Sequence, residues 1–363
     1  MSKAAELASL IGNINAGGGG VNRNVLINSA MTVAQRGTST ASVSSGDFFV
    51  VDRFGGYINA TGTWTVSQST DNPDGQGFAN SAKFDCTTAN GSLASGAELQ
   101  FRQRIEGQNL QHLEKGTSSA KPTALQFWVK SNKTGTYICE LFDNDNSRTI
   151  NKSYTISSAN TWEKKTITFE GDTTGTLDND NNTSLTVTWW LGAGSSMSSG
   201  SLQTSWGART DANRAVGNVN LADSTDNEWY ITGVQLEVGQ NPTEFEHEPF
   251  DTTLRKCKRY YESKYFRYGT YAGIGFAFSS DSGRIRTDWE VVKRAQPSVT
   301  FSGSASVYKN GNSNAGATFS AEVPSETGTR INIGLTGGAT MSAGSAFGVH
   351  ADAAWYIQGD SEL

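Results

Sequence analysis

Residues Glu228–Tyr265, EWYITGVQLEVGQNPTEFEHEPFDTTLRKCKRYYESKY, hold a strand, a crossing segment and a helix in succession. Tyr230, Thr232, Val234, Leu236 and Val238 alternate with Ile231, Gly233, Gln235 and Glu237, a period of two that predicts a half-buried strand. Gly239 and the Asn241-Pro242 pair stop it, and Phe245–Pro249 is expected to be extended because the residue before a proline avoids the helical basin. Asp251 then predicts a helix N-cap. Phe250, Leu254, Cys257 and Tyr261 fall at i, i+4, i+7 and i+11 as one apolar stripe, with Arg255, Lys256, Lys258 and Arg259 around the rest of the helix. The stretch is expected to close one β-domain and introduce another, with the four stripe residues forming the domain junction.

Composition agrees with that reading. The chain has 363 residues, enough for two or three domains with their own cores. Its 40 glycines against 6 prolines, with abundant Ser, Thr and Asn, predict many short strands joined by tight turns, an all-β class. A net charge of −6, from 29 basic and 35 acidic residues, gives no general attraction to nucleic acid or anionic lipid. No secretory pattern is visible and no apolar run approaches the ~18 residues of a membrane span, so a soluble protein made in the cytosol is expected, without membrane insertion. Cys86, Cys139 and Cys257 are odd in number and lack metal-ligand spacing, which predicts buried free thiols.

Taken in order, residues 1–20 are expected to form a short helix and a hinge. Leu7, Leu10, Ile11 and Ile14 make its apolar stripe, and Gly17–Gly20 end it. So short a helix must dock on something, which makes it a candidate virion or oligomer anchor in the light of the resemblance given below. Residues 21–250 are expected to be one jelly-roll β-sandwich, with strands at Val25–Val33, Phe48–Ile58 and nine later segments ending at Trp229–Val238. The polar stretch Gly192–Asp226 is expected to decorate one edge or to reach a neighbouring subunit. Residues 251–265 are read as a connecting helix and 266–363 as a smaller C-terminal β-domain. Its Gly- and Ser-rich strands imply a thin core in one copy, so a homotrimer that buries them between subunits is expected.

Catalytic and metal chemistry find little support. His112, His247 and His350 show no ligand spacing, and no nucleophile-elbow, P-loop or dinucleotide motif stands in a strand–turn–helix setting. Asp143–Asn146 and Asp178–Asn182 begin like calcium loops, but Arg148 and Thr183 occupy the glycine position and Tyr154 and Trp189 the final glutamate position. Solvated Asx turns or an irregular structural Ca²⁺ site remain as readings, and no other cofactor is expected. Trp128 and Trp190 fall on nominally polar strand faces, beside Gln126 and Lys130 and beside Thr186 and Thr188 respectively. Each is a candidate glycan contact, since indole packs on the C–H faces of sugars. The alternative is a tryptophan covered by a loop, by the N-terminal segment or by another subunit.

ITGVQLEVG, PTEFEHEPF and LRKCKRYY, preceded by NVLINSAMTVAQRGTS (Asn24–Ser39) and VDRF (Val51–Phe54), closely resemble segments of tail-fibre and related structural proteins of tailed bacteriophages, particularly marine ones. LQFWVKSN, NTWEKKTITFEGD and VKRAQPSVTFSG fall where that family has strands, and LQFWVK with NTWEKKTITF also resembles carbohydrate-binding-module jelly rolls. Glu248 departs from the basic residue expected of the family there. The resemblance implies a non-enzymatic virion protein, made in the host cytoplasm, whose N-terminus grips other tail or capsid proteins. It implies a tail-fibre subunit that contacts a glycan or protein of the host surface. The alternatives are a capsid or tail decoration protein without receptor role and, less favoured, a polysaccharide depolymerase.

Overall fold

The computed structural model describes residues 3–5, 23–308 and 314–363. The expected N-terminal stripe of Leu7, Leu10, Ile11 and Ile14 and the run Gly17–Gly20 lie outside the described residues. The chain divides into two compact units, the first running to Leu254 and taking in Leu363, the second Arg255–Glu362.

The first unit contains β1 (Ser39–Val43), β2 (Gly46–Val51), β3 (Phe54–Asn59), β4 (Thr63–Ser69), β5 (Ser81–Thr88), β6 (Glu98–Glu106), β7 (Thr123–Ser131), β8 (Gly135–Asp143), β9 (Arg148–Ile156), β10 (Glu163–Phe169), β11 (Thr183–Ala193), the short helix α1 (Ser195–Ser198), β12 (Gly207–Ala208) and β13 (Glu228–Val238). They form two antiparallel sheets, ordered β1-β4-β5-β13-β7-β10 and β12-β9-β8-β11-β6-β3-β2, the jelly-roll sandwich expected from the sequence. Alternation along each strand sends apolar residues inward. Phe101 stacks on Phe54 at 5.2 Å between ring centroids and meets Phe84, Trp189 and Trp229 at 5.7, 5.7 and 5.5 Å. Such ring pairs add about 0.5–1.5 kcal/mol each to the apolar area they bury. Cys86, Cys139 and Cys257 are free and buried, as expected.

Several sequence expectations for the first unit differ from the structure. Val25–Val33 is not a strand. Asn28 and Met31 hold positive φ (61° and 56°), and the Asn28 side chain donates to the carbonyls of Val33 and Asp52 and accepts from the amides of Thr32 and Val33, replacing a ladder with a local amide hub. Phe48–Ile58 is broken at Asp52-Arg53, where Arg53 turns with φ of 70°, so it becomes the hairpin β2–β3. The stretch Gly192–Asp226 does add an edge strand, β12 on β9, but its helical turn also lies over the outer sheet face, with Met197, Leu202 and Ala215 packed on Ile138 and Trp190.

Asp143 is likewise not part of an open loop. Lys115 places its ammonium between Asp143 and Asp172, donating to both and to the Gly175 carbonyl (2.9 Å to Asp172, 3.0 Å to Gly175), while Arg148 grips Asp172 through two hydrogen bonds of 2.7 and 2.9 Å. The buried carboxylates of Asp143 and Asp172 are thus met by a lysine and an arginine. Among the described residues no group of three or more His, Cys, Asp and Glu side chains is placed to hold a metal ion. No described helix is long and apolar enough to cross a membrane.

The helix α2 (Phe250–Lys258) follows β13, shorter than the expected 251–265. Phe250 is 58% exposed, Leu254 is half-buried and Cys257 buried, so the expected stripe is incomplete at its first residue. Tyr261 is not helical at all but opens β14 (Tyr261–Phe266), whose β-favouring aromatics Tyr261, Tyr265 and Phe266 flank a polar middle and pair with the last strand.

The second unit continues with β15 (Tyr271–Ala277), β16 (Ser282–Asp288), β17 (Ser298–Tyr308), β18 (Asn314–Ala321), β19 (Gly328–Leu335) and β20 (Ala346–Asp360). The order β14-β20-β15-β16-β19-β18-β17 closes on itself because β17 also pairs with β20, giving a barrel-like domain. Trp355, Phe347, Val349 and Ile357 of β20 line its interior. Inside this unit Lys293 donates to Glu262 at 2.6 Å with both side chains fully buried.

Burial alone would raise the Asp172 carboxyl, but hydrogen bonds from Arg148 and Lys115 overcome it and hold the group at about 2. Its folded value lies below the unfolded one, so its contribution to stability is complete above about pH 4 and is lost as pH falls toward 2. Urea unfolding across that window should show a falling midpoint in the wild type and a flatter profile in Asp172→Asn. Lys115→Met leaves Asp143 buried without its cation, while Asp172 keeps Arg148, and should cost about 3–5 kcal/mol at pH 7. A loss below about 1 kcal/mol would mean that water replaces the ammonium.

Candidate functional site

The outer face of the six-stranded sheet carries the site. On β7 the inward residues are Leu125, Phe127 and Val129, all fully buried, so Gln126, Trp128 and Lys130 face outward. Trp128 pairs across with Lys164 on β10 and Thr232 on β13, which places it near the middle of that face. On β10, Lys164, Thr166 and Thr168 face outward by the same alternation. Trp162, immediately before the strand, continues that set to the sheet end.

The loop after β4 brings the polar half. Asp71 accepts from the Trp162 indole N–H at 3.0 Å and from the Lys130 ammonium, so one carboxylate fixes both. Lys130 lies 4.5 Å from the Tyr230 ring centroid and 5.6 Å from that of Trp162, and the two rings meet edge to face at 6.2 Å. The far end of the loop is pinned by Phe78, whose ring lies over Gly233 and packs against Phe245 at 4.9 Å and His247 at 5.3 Å. Gly233, with φ of 61°, sits at the β13 bulge. A Cβ there would come within 2.6 Å of the Phe78 ring, so the close approach requires glycine.

Between loop and sheet lies an open groove of about 490 Å³. Trp128 and Trp162, both half-buried, supply its apolar surface; Asp71, Asn72, Asp74 and Gln76 supply carboxylate and amide groups. Burial pushes the Asp71 carboxyl up, but hydrogen bonds from Lys130 and Trp162 outweigh it, and the group is held below its ordinary value. Two flat indoles beside a row of short hydrogen-bonding side chains can hold a ligand that has both an apolar face and a polar edge.

Trp190 takes no part. Its outward direction is as expected, but it is fully buried under the Met197–Ala215 cover. Its indole N–H donates to Glu140 at 3.1 Å and the Arg214 guanidinium lies 5.0 Å over its ring, itself bonded twice to Glu140 at 2.8 and 2.9 Å. The candidate pair Trp128 and Trp190 therefore does not share a site. The partner of Trp128 is Trp162, which sequence reasoning did not single out, although its even-numbered alternation with Lys164, Thr166 and Thr168 carried the signal. Asp71 had no such signal, because only folding brings its loop to Trp162.

No protein-family model and no curated protein matches the chain. Among solved structures, the chain is similar to the enzymatically active domain of bacteriophage CBA120 tailspike protein 4, at 16% identity with a TM-score of 0.31, over 55% of this chain and only 21% of that one. It is similar to TmCBM61 in complex with beta-1,4-galactotriose, at 11% identity and a TM-score of 0.30, over 60% of this chain and 99% of that one. The family 11 carbohydrate-binding module from Clostridium thermocellum, in complex with a beta-1,3-1,4-mixed-linked tetrasaccharide, gives 12% identity and a TM-score of 0.28, over 58% and 99%. Likenesses at these scores decide nothing about what the groove holds.

Because Asp71 titrates below its ordinary 3.8, its contacts to Trp162 and Lys130 should persist at that pH and be lost as pH falls further. Tryptophan emission of the wild type should report this with an acid midpoint below 3.8 that is missing in Asp71→Asn. A midpoint unchanged by the substitution would detach Asp71 from the indole.

Proposed function

We propose that the protein is a structural subunit of a bacteriophage virion, a tail-fibre protein that attaches to the host cell by holding a surface glycan against Trp128 and Trp162. The observation that carries the binding half is the groove itself, two indoles and several hydrogen-bonding side chains in one open concavity. Pyranose rings offer apolar C–H faces to stack on indole and hydroxyl edges for Asn72, Asp74 and Gln76 to bond. The virion half rests on the resemblance of the Glu228–Tyr265 stretch and its companions to tail-fibre proteins, with the N-terminal residues 1–20 as the part that grips other virion proteins.

A decoration protein without receptor role would fit the resemblance and leave the groove without a use. A depolymerase is disfavoured by the groove's chemistry. Glycoside hydrolysis needs a carboxylic acid that stays protonated near neutral pH, whereas Asp71 is held ionised by Lys130 and Trp162.

Self-association, a homotrimer in this reading, is supported by the second unit. Ile274 and Phe276 on one outward face of β15, and Phe278 just past its end, are 76%, 68% and 51% exposed. On one side β20 sets only Gly348 and Ala346 opposite Ile274 and Phe276; on the other, Arg284 of β16 pairs with Phe276 and lies 4.6 Å over the Phe278 ring, a charged rim to an apolar patch. Monomeric proteins rarely leave such patches uncovered.

Host-surface polysaccharide should retard the wild type in affinity electrophoresis, and Trp128→Ala and Trp162→Ala should each weaken binding by about tenfold, or ~1.4 kcal/mol. Retention of full affinity in both variants would move the binding site elsewhere. Light scattering at micromolar concentration should give a trimer mass, reduced by Phe276→Asp; a stable wild-type monomer would end the trimer reading.

A further inference from the structure

The opposite sheet has its own concavity. β11 lies between β6 and β8, and its outward residues there are the short, buried Thr186 and Thr188. Their neighbours are long: Arg104 stands opposite Thr186 and Arg102 opposite Thr188 on β6, with Phe142 opposite Thr186 on β8. Short side chains between long ones make a trough, about 310 Å³ in volume, with Tyr57 on one flank and Arg209 and Arg214 on the other rim. That volume is at the lower end of the ~300–1,000 Å³ common for small-molecule sites.

Its charges are unevenly matched. Arg214 is satisfied by Glu140 and Arg209 by Asp211 at 2.6 Å. Arg102 and Arg104, by contrast, share a single side-chain carboxylate oxygen, that of Asp47, which is 56% exposed; Arg102 also donates to Gln100 at 3.3 Å and Arg104 to the Leu363 backbone oxygen. Glu98, at one end, accepts from Gln100 at 2.6 Å and is pushed by burial toward its neutral form. Burial, and then the neighbouring Arg104, depress Arg102, against the opposing pull of Asp47 and Glu98. The two arginines are two residues apart on one strand, hence roughly 6.6 Å apart on one face.

We propose that this trough is a second binding site, for an anionic saccharide whose carboxylate or sulfate is gripped by Arg102 and Arg104 while its hydroxyls meet Thr186 and Thr188. Planar guanidiniums bind such oxyanions through paired hydrogen bonds, which a lysine ammonium does not reproduce. Asp47 is the resident competitor: exposed and at the sheet edge on β2, it swings away when the ligand anion enters. The site is independent of the Trp128 groove and stands or falls without it.

Calorimetry on the full chain with a uronic-acid trisaccharide, a sulfated hexasaccharide and a neutral hexasaccharide tests the assignment. At least one anionic probe should bind with an affinity that falls as salt rises from 50 to 500 mM, and any binding of the neutral probe should be unaffected by the Arg102, Arg104 and Asp47 variants; which anion wins identifies the source. Arg102→Gln with Arg104→Gln should cost tenfold or more, Asp47→Asn should strengthen binding severalfold, and Trp128→Ala with Trp162→Ala should leave it unchanged. Folding of each variant is checked by circular dichroism. If the double-arginine variant does not fold, Asp47→Asn decides alone, since a merely structural Asp47 would give weaker or unchanged binding and overturn the proposal. Failure of both anionic probes to bind the folded wild type overturns it as well.

Discussion

Both outer grooves depend on the cluster of rings around Phe101, because that cluster fixes which side of every strand is inside. Phe54, Phe84, Trp189 and Trp229 surround it from both sheets. A pleat has a period of two, so a slip of one residue on β7 or β11 would exchange Phe127 for Trp128 or Trp189 for Trp190. Expelling a buried aromatic of this size costs several kcal/mol. The outward tryptophans are therefore placed by their inward neighbours, and the groove geometry is inherited from the core.

This is why so much was legible. Alternation in LQFWVK and in Leu185–Leu191 gives the inward and outward sets without knowledge of the sheet order, and the all-β class follows from glycine-rich spacing. What alternation cannot give is the fate of an outward residue. Trp128 and Trp190 are equivalent in sequence terms, yet one lines a groove and the other is covered by residues from a distant segment that also donates Arg214. Trp162 also obeys the alternation rule, but alternation alone does not mark which outward tryptophan a distant loop turns into a groove, as the loop bearing Asp71 does here. Val25–Val33 misled because its apolar residues are buried, but by turns around Asn28.

Buried ions are the other illegible class. Lys115 with Asp143 and Asp172, Arg214 with Glu140, and Lys293 with Glu262 each join groups from 28 to 74 residues apart. Nothing local marks any of these residues as buried, and lysine is among the side chains least often enclosed. Each pair ties an irregular segment to a strand. In the sandwich they hold down long connections that ladder hydrogen bonds secure only in part.

The strand order has one more effect, on how the chain is made. In the sheet that bears the groove, β13 is the last strand in sequence, yet it lies between β5 and β7; in the barrel, β20 comes last and lies between β17 and the pair β14 and β15. The six-stranded sheet is thus two incomplete halves until β13 leaves the ribosome and inserts between them, and the barrel stays open, with β14 unpaired, until β20 arrives, so nascent chains expose unpaired edges until those strands are made. Ribosomal stalling before Val238 or before Asp360 would release fragments that aggregate rather than shortened working proteins.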